Sequence, residues 1–243
     1  MMKSIGKEFV EKTKYEYLED DDYRKGFPPP PVELEYDKTK RKIDLPDPKN
    51  IKVDMGLVEA IEKRRSLRRY SEKPISLAEL SYLLWCTQGV IRSSKVATLR
   101  NVASAGSRHA FETYIMVNNV DKLEPGIYRY LALEHKLLVV RLDPNIAEKA
   151  VKVCYGQQNV GESAVTFFWV AVPYRTTYRY GERGYRYIYL DAGHVCQNLY
   201  LSAEGINCGV CAIGAYCDDE ANEFLNIDGE EQFVIYIAAL GKR

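Results

Sequence analysis

The sequence predicts a layered α+β domain. Three observations carry that expectation. Residues 164–172 and 232–241 are two nearly unbroken apolar runs of strand length, the texture of strands covered on both faces. Residues 187–204 set Ile188, Ala192, Val195, Leu199, Leu201 and Ala203 in a helical rhythm, which suits a long core helix. Helices and strands mix without the strict βαβ alternation of a doubly wound parallel sheet.

A chain of 243 residues, 46% of them hydrophobic, can bury one substantial core and carry an appended arm. Lys+Arg of 34 balances Asp+Glu of 34, so no global field draws the chain to nucleic acid or to an anionic membrane, and any bound anion must be held locally. No apolar run nears the roughly 20 residues needed to span a bilayer, and the start Met1-Met2-Lys3-Ser4-Ile5-Gly6 carries no apolar signal region. A cytoplasmic location is expected, and the six cysteines are read as thiols.

Residues 1–54 form an arm. They hold the acidic run Glu19, Asp20, Asp21 and Asp22, the four prolines 28–31, then Pro46 and Pro48. Consecutive prolines exclude helix and favour an extended path, one suited to embracing a second subunit. The domain spans 55–243. Asp54 is a candidate N-cap for a helix with Leu57, Val58 and Ile61 at core spacing. Pro74 separates it from the next, which Ser76 and Glu79 open as a capping box ahead of Leu80, Leu83, Leu84 and Trp85.

Strand composition follows at 113–117, ended by Asn118 and Asn119, and at 126–130 and 136–142 across a polar turn. A helix is expected over 145–153. The long helix should close with Gly205 at its C′ position. A small-residue turn at 211–216 leads to an acidic helix start at Asp218, Asp219 and Glu220. No internal repeat is present.

Three clusters could carry chemistry. Arg64, Arg65, Ser66 and Arg68, extended by Arg69, can present guanidinium forks and a hydroxyl to one phosphate; alone, such a cluster also serves the dipole of a helix end. Ser104, Ala105 and Gly106 sit in a run of small residues that lets backbone approach a planar ligand. Ala212, Ile213 and Gly214 form a second such run, whose amides could reach a ring edge. The tyrosine-dense stretch 174–189 reads as buried or interfacial, because Glu182 and Asp191 interrupt it and lysine is scarce.

Cys208 and Cys211 have C-x-x-C ligand spacing, with Cys217, Cys196 and His194 nearby. A second C-x-x-C is missing, so they are read as buried small hydrophobes and no metal is assigned. His194 reads as a packing residue, His109 as a neighbour of the small-residue loop, and His135 as a surface turn.

In order and spacing, Arg64-Arg65-Ser66-x-Arg68, the Ser104-Ala105-Gly106 loop through His109, the run Asp191-Ala192-Gly193-His194-Val195-Cys196-Gln197-Asn198-Leu199, and Ile213-Gly214-Ala215 resemble the nitroreductase superfamily over roughly residues 55 to 241. They are most similar to its SagB-type dehydrogenase branch. The resemblance implies a central, mostly antiparallel sheet flanked by helices, in an obligate-type homodimer with FMN at the subunit interface. By this likeness Arg64, Arg65, Ser66 and Arg68 contact the flavin phosphate, ribityl chain and ring edge. Ser104, Ala105 and Gly106 approach the flavin of the partner subunit, Ala212, Ile213 and Gly214 pack on the isoalloxazine, and Lys242 and Arg243 complete the phosphate site. Ala103 stands where relatives often carry proline.

The expected activity is ping-pong hydride transfer from NAD(P)H, a transient donor, to a small organic acceptor, with no catalytic side chain assigned. The absence of a G-x-G-x-x-G after a strand agrees with a transient donor. One alternative is FMN-dependent oxidation of peptide azolines. That chemistry wants a base, and Arg183-Gly184-Tyr185-Arg186-Tyr187 offers arginine, which does not deprotonate. A second is a flavin-binding protein without turnover.

Overall fold

The computed structural model describes residues 4–243; Met1, Met2 and Lys3, which began the signal-region reading, lie outside the described residues. Seven strands make one sheet in the order β1-β6-β5-β4-β7-β9-β8. They are β1 (Lys42–Asp44), β4 (Phe111–Val117), β5 (Gly126–Leu131), β6 (Lys136–Leu142), β7 (Val165–Ala171), β8 (Cys208–Ile213) and β9 (Phe233–Lys242), while β2 (Val90–Ser93) and β3 (Thr98–Arg100) form a separate ribbon. Every pairing between these strands is antiparallel. The eight α-helices among the described residues are α1 (Ile5–Lys12), α2 (Leu57–Lys63), α3 (Leu77–Gln88), α4 (Ile146–Val153), α5 (Gln158–Gly161), α6 (Tyr174–Tyr180), α7 (Gly184–Glu204) and α8 (Asp218–Leu225). The α+β expectation holds, with an antiparallel sheet between helical layers.

The two apolar runs become β7 and β9, neighbouring interior strands of the sheet. Side chains alternate across a strand, so Val165, Phe167, Trp169 and Ala171 of β7 enter the core under α3 and α7, while Phe168 and Val170 enter the opposite core with Ile146, Ala150 and Phe224. Both faces of β7 are thereby removed from water, which is why its sequence shows no polar alternation. Helix α7 lays Ile188, Ala192, Val195, Leu199 and Ala203 on the first face. Its axis is the rail along which the functional loops are placed.

Several expectations need correction. Gly56, not Asp54, is the N-cap of α2 and makes no side-chain cap; Asp54 pairs with Lys52 at 3.0 Å instead. Leu57, Val58 and Ile61 have helical spacing, yet 55–70% of each is exposed, so this apolar face is uncovered in the single chain. Gly205 ends α7 at φ −64, without the left-handed turn of a C′ glycine. The sequence reading also missed β1, the β2–β3 ribbon, α6 and β8. Its capping box at Ser76 and Glu79 is present in full.

The arm is extended only in part. Residues 5–12 are helical, and Lys42–Asp44 adds an edge strand to the sheet beside β6. Between them the proline tract is held by buried groups of its own chain. Arg175 donates to Pro31 O (2.8 Å), Arg129 to Leu34 O (2.7 Å), and Leu34 N to Glu112 (2.9 Å). Glu112 in turn pairs with Arg129 and Arg175 in the interior. Among the described residues, no helix is long and apolar enough to cross a membrane.

Candidate active site

Helix α2 stops at Lys63, and Arg64 turns out of it with φ −51 and ψ 122. The chain then runs extended alongside β8, where Ser66 and Val210 form a parallel bridge and Leu67 N donates to Val210 O at 2.9 Å. Close approach at this point requires Gly209, since a Cβ there would lie 2.6 Å from Leu67 Cβ. The arginine segment is thereby laid along the outer edge of the sheet.

Tyr200 of α7 gathers the pieces. Its hydroxyl lies 3.0 Å from Ser66 Oγ and accepts from Ala212 N at 2.9 Å, while the Arg64 guanidinium lies 5.4 Å from its ring centroid. Arg64, Ser66 and Ala212 are therefore brought together on one phenol. Arg65 turns back to cap its own helix, donating to Glu62 O and Arg64 O at 2.8 Å each. Arg68 is exposed, and its field opposes the burial that pushes up the Cys211 thiol. Among the described residues, none of Arg64, Arg65, Arg68 and Arg69 pairs with a carboxylate, whereas the neighbouring Lys63 pairs with Glu59. Uncompensated guanidinium groups around an aromatic and backbone floor suit a phosphate attached to a planar ring.

Ile213 is buried and Gly214 exposed just beyond β8. The expected turn at 211–216 is strand as far as Ile213, and the Ala212 N–H is already given to Tyr200. Lys242 and Arg243 lie at the end of β9 but are engaged: Lys242 Nζ meets Glu79 at 2.5 Å and Ile206 O at 2.9 Å, and Arg243 meets Glu204 at 2.5 Å. Burial raises the Glu79 carboxyl, and the Lys242 contact with the Ser76 hydrogen bonds outweighs it, so the group is net lowered.

The Ser104 loop is built elsewhere on α7. Ala105 N donates to both Asp191 oxygens at 3.2 Å, and His109 N donates to Ser104 Oγ at 2.9 Å. Gly106 is left-handed at φ +56, and a Cβ on it would run into the Tyr180 hydroxyl. Asp191 is 4% exposed; burial raises its carboxyl, with the Ser104 and Ala105 hydrogen bonds opposing. Asp191 and Tyr200 are nine residues apart on one helix, about 13 Å along its axis. One chain therefore holds the two clusters of candidate residues apart.

His109 is buried and pushed down to about 3 by burial and by Arg100, so it stands neutral behind the loop. His194 is not packed: its side chain is 53% exposed, with Nδ1 3.7 Å from Asp191. His135 is more than a surface turn, because its ring bridges the Tyr130 hydroxyl and Ser81 Oγ at 2.7 Å each. All six cysteines are free. Cys208 and Cys211, three apart on β8, point to opposite faces and cannot share an ion, and among the described residues no group of three or more His, Cys, Asp or Glu could hold a metal. The tyrosine stretch splits: Tyr178 is buried, Tyr189 is exposed, and Tyr187 meets Tyr15 of the arm at 2.8 Å. Tyr200, Asp191 and Tyr180 were given no role by sequence reasoning; the rhythm of α7 marks where the first two lie, but not what they touch.

The nitroreductase family profile matches residues 61–242. A nitroreductase-like protein of Methanocaldococcus jannaschii is 32% identical over 202 residues, 83% of this chain and 96% of that protein. The trifolitoxin operon protein TfxC of Rhizobium leguminosarum is 25% identical over 228 residues, 88% of this chain and 63% of that protein. A nitroreductase-like crystal structure from Anabaena variabilis superposes with a TM-score of 0.67 at 30% identity, covering 84% of this chain and 42% of that one. This chain belongs to the nitroreductase family.

Proposed function

We propose that the chain is an FMN-dependent oxidoreductase that works as a homodimer and passes two electrons from NAD(P)H to a small organic acceptor. The observation that carries this reading is the convergence of Arg64, Ser66 and Ala212 on Tyr200, with Arg64, Arg65, Arg68 and Arg69 paired with no carboxylate among the described residues. Arg64, Ser66 and Arg68 would hold the phosphate and ribityl end, and the backbone around Ala212 the ring. Bound FMN supplies the hydride chemistry itself. The protein's share is to orient the ring, exclude water from one face and place positive charge at the pyrimidine edge. Ser104, Ala105 and Gly106, about 13 Å along α7 from Tyr200, would border the partner's flavin. That assignment fits the uncovered face of Leu57, Val58 and Ile61, which gives a second copy an apolar surface. Lys242 and Arg243 would reach a phosphate only by leaving Glu79 and Glu204.

Purified protein supplemented with FMN should show the two visible flavin bands, bleached anaerobically by NADH or NADPH. A protein that takes up no FMN, or whose flavin neither donor reduces, removes this reading.

A second reading, FMN-dependent oxidation of azoline rings in a peptide, follows from the resemblance of the ordered motifs to the SagB-type branch. Here Arg183 Nε donates to the Tyr187 hydroxyl at 2.8 Å, so the stretch offers a phenol beside a fixed cation and no lysine base. Turnover of an azoline peptide without a nicotinamide donor would move the assignment to this branch.

A further inference from the structure

Arg108 reaches the Gly106 turn directly and Arg179 reaches it through Tyr180. Arg108 Nε donates to Gly106 O at 3.0 Å. Arg179, exposed, is stacked 5.5 Å from the Tyr23 centroid and 5.9 Å from that of Tyr180, and the Tyr180 hydroxyl packs onto Gly106. Nearby, Arg24 is paired with Asp20 and Asp21, and Arg183 and Arg186 are engaged by Tyr187, Thr13 and Val10. Among the described residues neither Arg108 nor Arg179 has a carboxylate partner. Glu19 and Asp21 line the same cleft of about 480 Å³ as Arg179, but Asp21 faces Arg24 and Glu19 pairs with neither. Burial lowers the Arg108 guanidinium from its ordinary value, with the positive charge of Arg179 acting in the same direction.

We propose that Arg108 and Arg179, held at the Gly106 turn by its carbonyl and by Tyr180, form an anion subsite for a phosphate or carboxylate group of the molecule that exchanges electrons at the flavin. Guanidinium groups that no carboxylate pairs directly keep their forks open to a bidentate anion. The Gly106 turn puts them beside the loop that, in the function proposed above and on which this inference rests, borders the flavin. The phosphates of a nicotinamide dinucleotide and the carboxylate of an acceptor share this chemistry.

Calorimetric titration of the FMN-supplemented dimer with pyrophosphate and with benzoate tests the subsite without requiring turnover. The variants are the double substitution Arg108→Gln/Arg179→Gln and, as a control in the same cleft, Arg24→Gln. At least one anion should bind the wild type, with affinity lowered about tenfold or more in the double variant and retained in Arg24→Gln. Loss of pyrophosphate binding with a raised NADPH or NADH Kd in stopped-flow reduction assigns the subsite to the donor. Loss of benzoate binding with an unchanged donor Kd assigns it to the acceptor. If neither anion binds the wild type, or the double variant binds both as tightly, the subsite is wrong. A flavin that no donor reduces, with arginine-dependent anion binding intact, sinks instead the function assigned above.

Discussion

The Tyr200 hydroxyl takes the Ala212 backbone N–H at 2.9 Å, which ties the C-terminal end of the sheet's edge strand to the long helix. The same oxygen lies 3.0 Å from Ser66 Oγ. One phenol thus sets the spacing between the arginine segment and β8, the two walls assigned to the flavin.

Tyr200→Phe keeps the ring beneath Arg64 and removes the shared oxygen. The half-buried Ala212 N–H then loses its partner at the site, a loss of about 0.5–1.5 kcal/mol. The FMN dissociation constant, read by fluorescence quenching, should rise about tenfold or more. An unchanged constant would show that the phenol does not shape the cofactor walls.

Asp191 gives a pH signature. Its folded carboxyl is raised by burial, so the native state binds the proton more tightly than the unfolded chain. The contribution of this group is therefore most favourable in acid and declines as pH rises from the ordinary aspartate range through the raised value. Asp191→Asn carries no such charge. The stability difference between wild type and variant, followed by urea unfolding from pH 3 to 7, should shift steadily toward the variant as pH rises; a flat difference would contradict the assignment.

Gly106→Ala combines two faults, a left-handed backbone and a Cβ directed at the Tyr180 hydroxyl. Destabilisation of about 1–3 kcal/mol is expected. Adding Tyr180→Ala in the same chain should recover the steric part and leave the backbone part. Thermal melts of the single and double variants separate the two, and complete recovery would mean that backbone conformation contributes nothing.

Glu112→Gln strips the carboxylate from Arg129 and Arg175 while the arm still covers them. Breaking a buried pair from one side costs about 3–5 kcal/mol. Glu112 is lowered in the fold despite its burial, by Arg175 and Arg129. Its contribution is present above the ordinary glutamate range and disappears as pH falls through the lowered value. Limited proteolysis should cut the variant first within residues 27–35, and an arm as resistant as in the wild type would mean that Glu112 does not secure it.

Leu57→Asp/Ile61→Asp charges the uncovered face of α2. Sedimentation should move the protein from dimer to monomer, with loss of bound FMN. A dimer of unaltered mass would place the subunit contact elsewhere.

The sequence by itself determined the parts of this protein that depend on near neighbours. The box of Ser76 and Glu79 spans three residues, the apolar runs of β7 and β9 need only their own composition, and the rhythm of α7 is its own. Hydrogen-bond caps and burial periodicity are local energies, so they are written locally. The ordered motifs also brought the family within reach. Tertiary structure decided which of the candidate groups are free to act. Ser66 meets Tyr200 across 134 positions and Lys242 meets Glu79 across 163, and no periodicity encodes such pairs. Tertiary packing also separated Cys208 from Cys211 by the alternation of a strand the sequence did not reveal, and left Leu57, Val58 and Ile61 outside the core their spacing suggested. A helical stripe states only that one face is apolar; what covers it depends on the surfaces that fold against it.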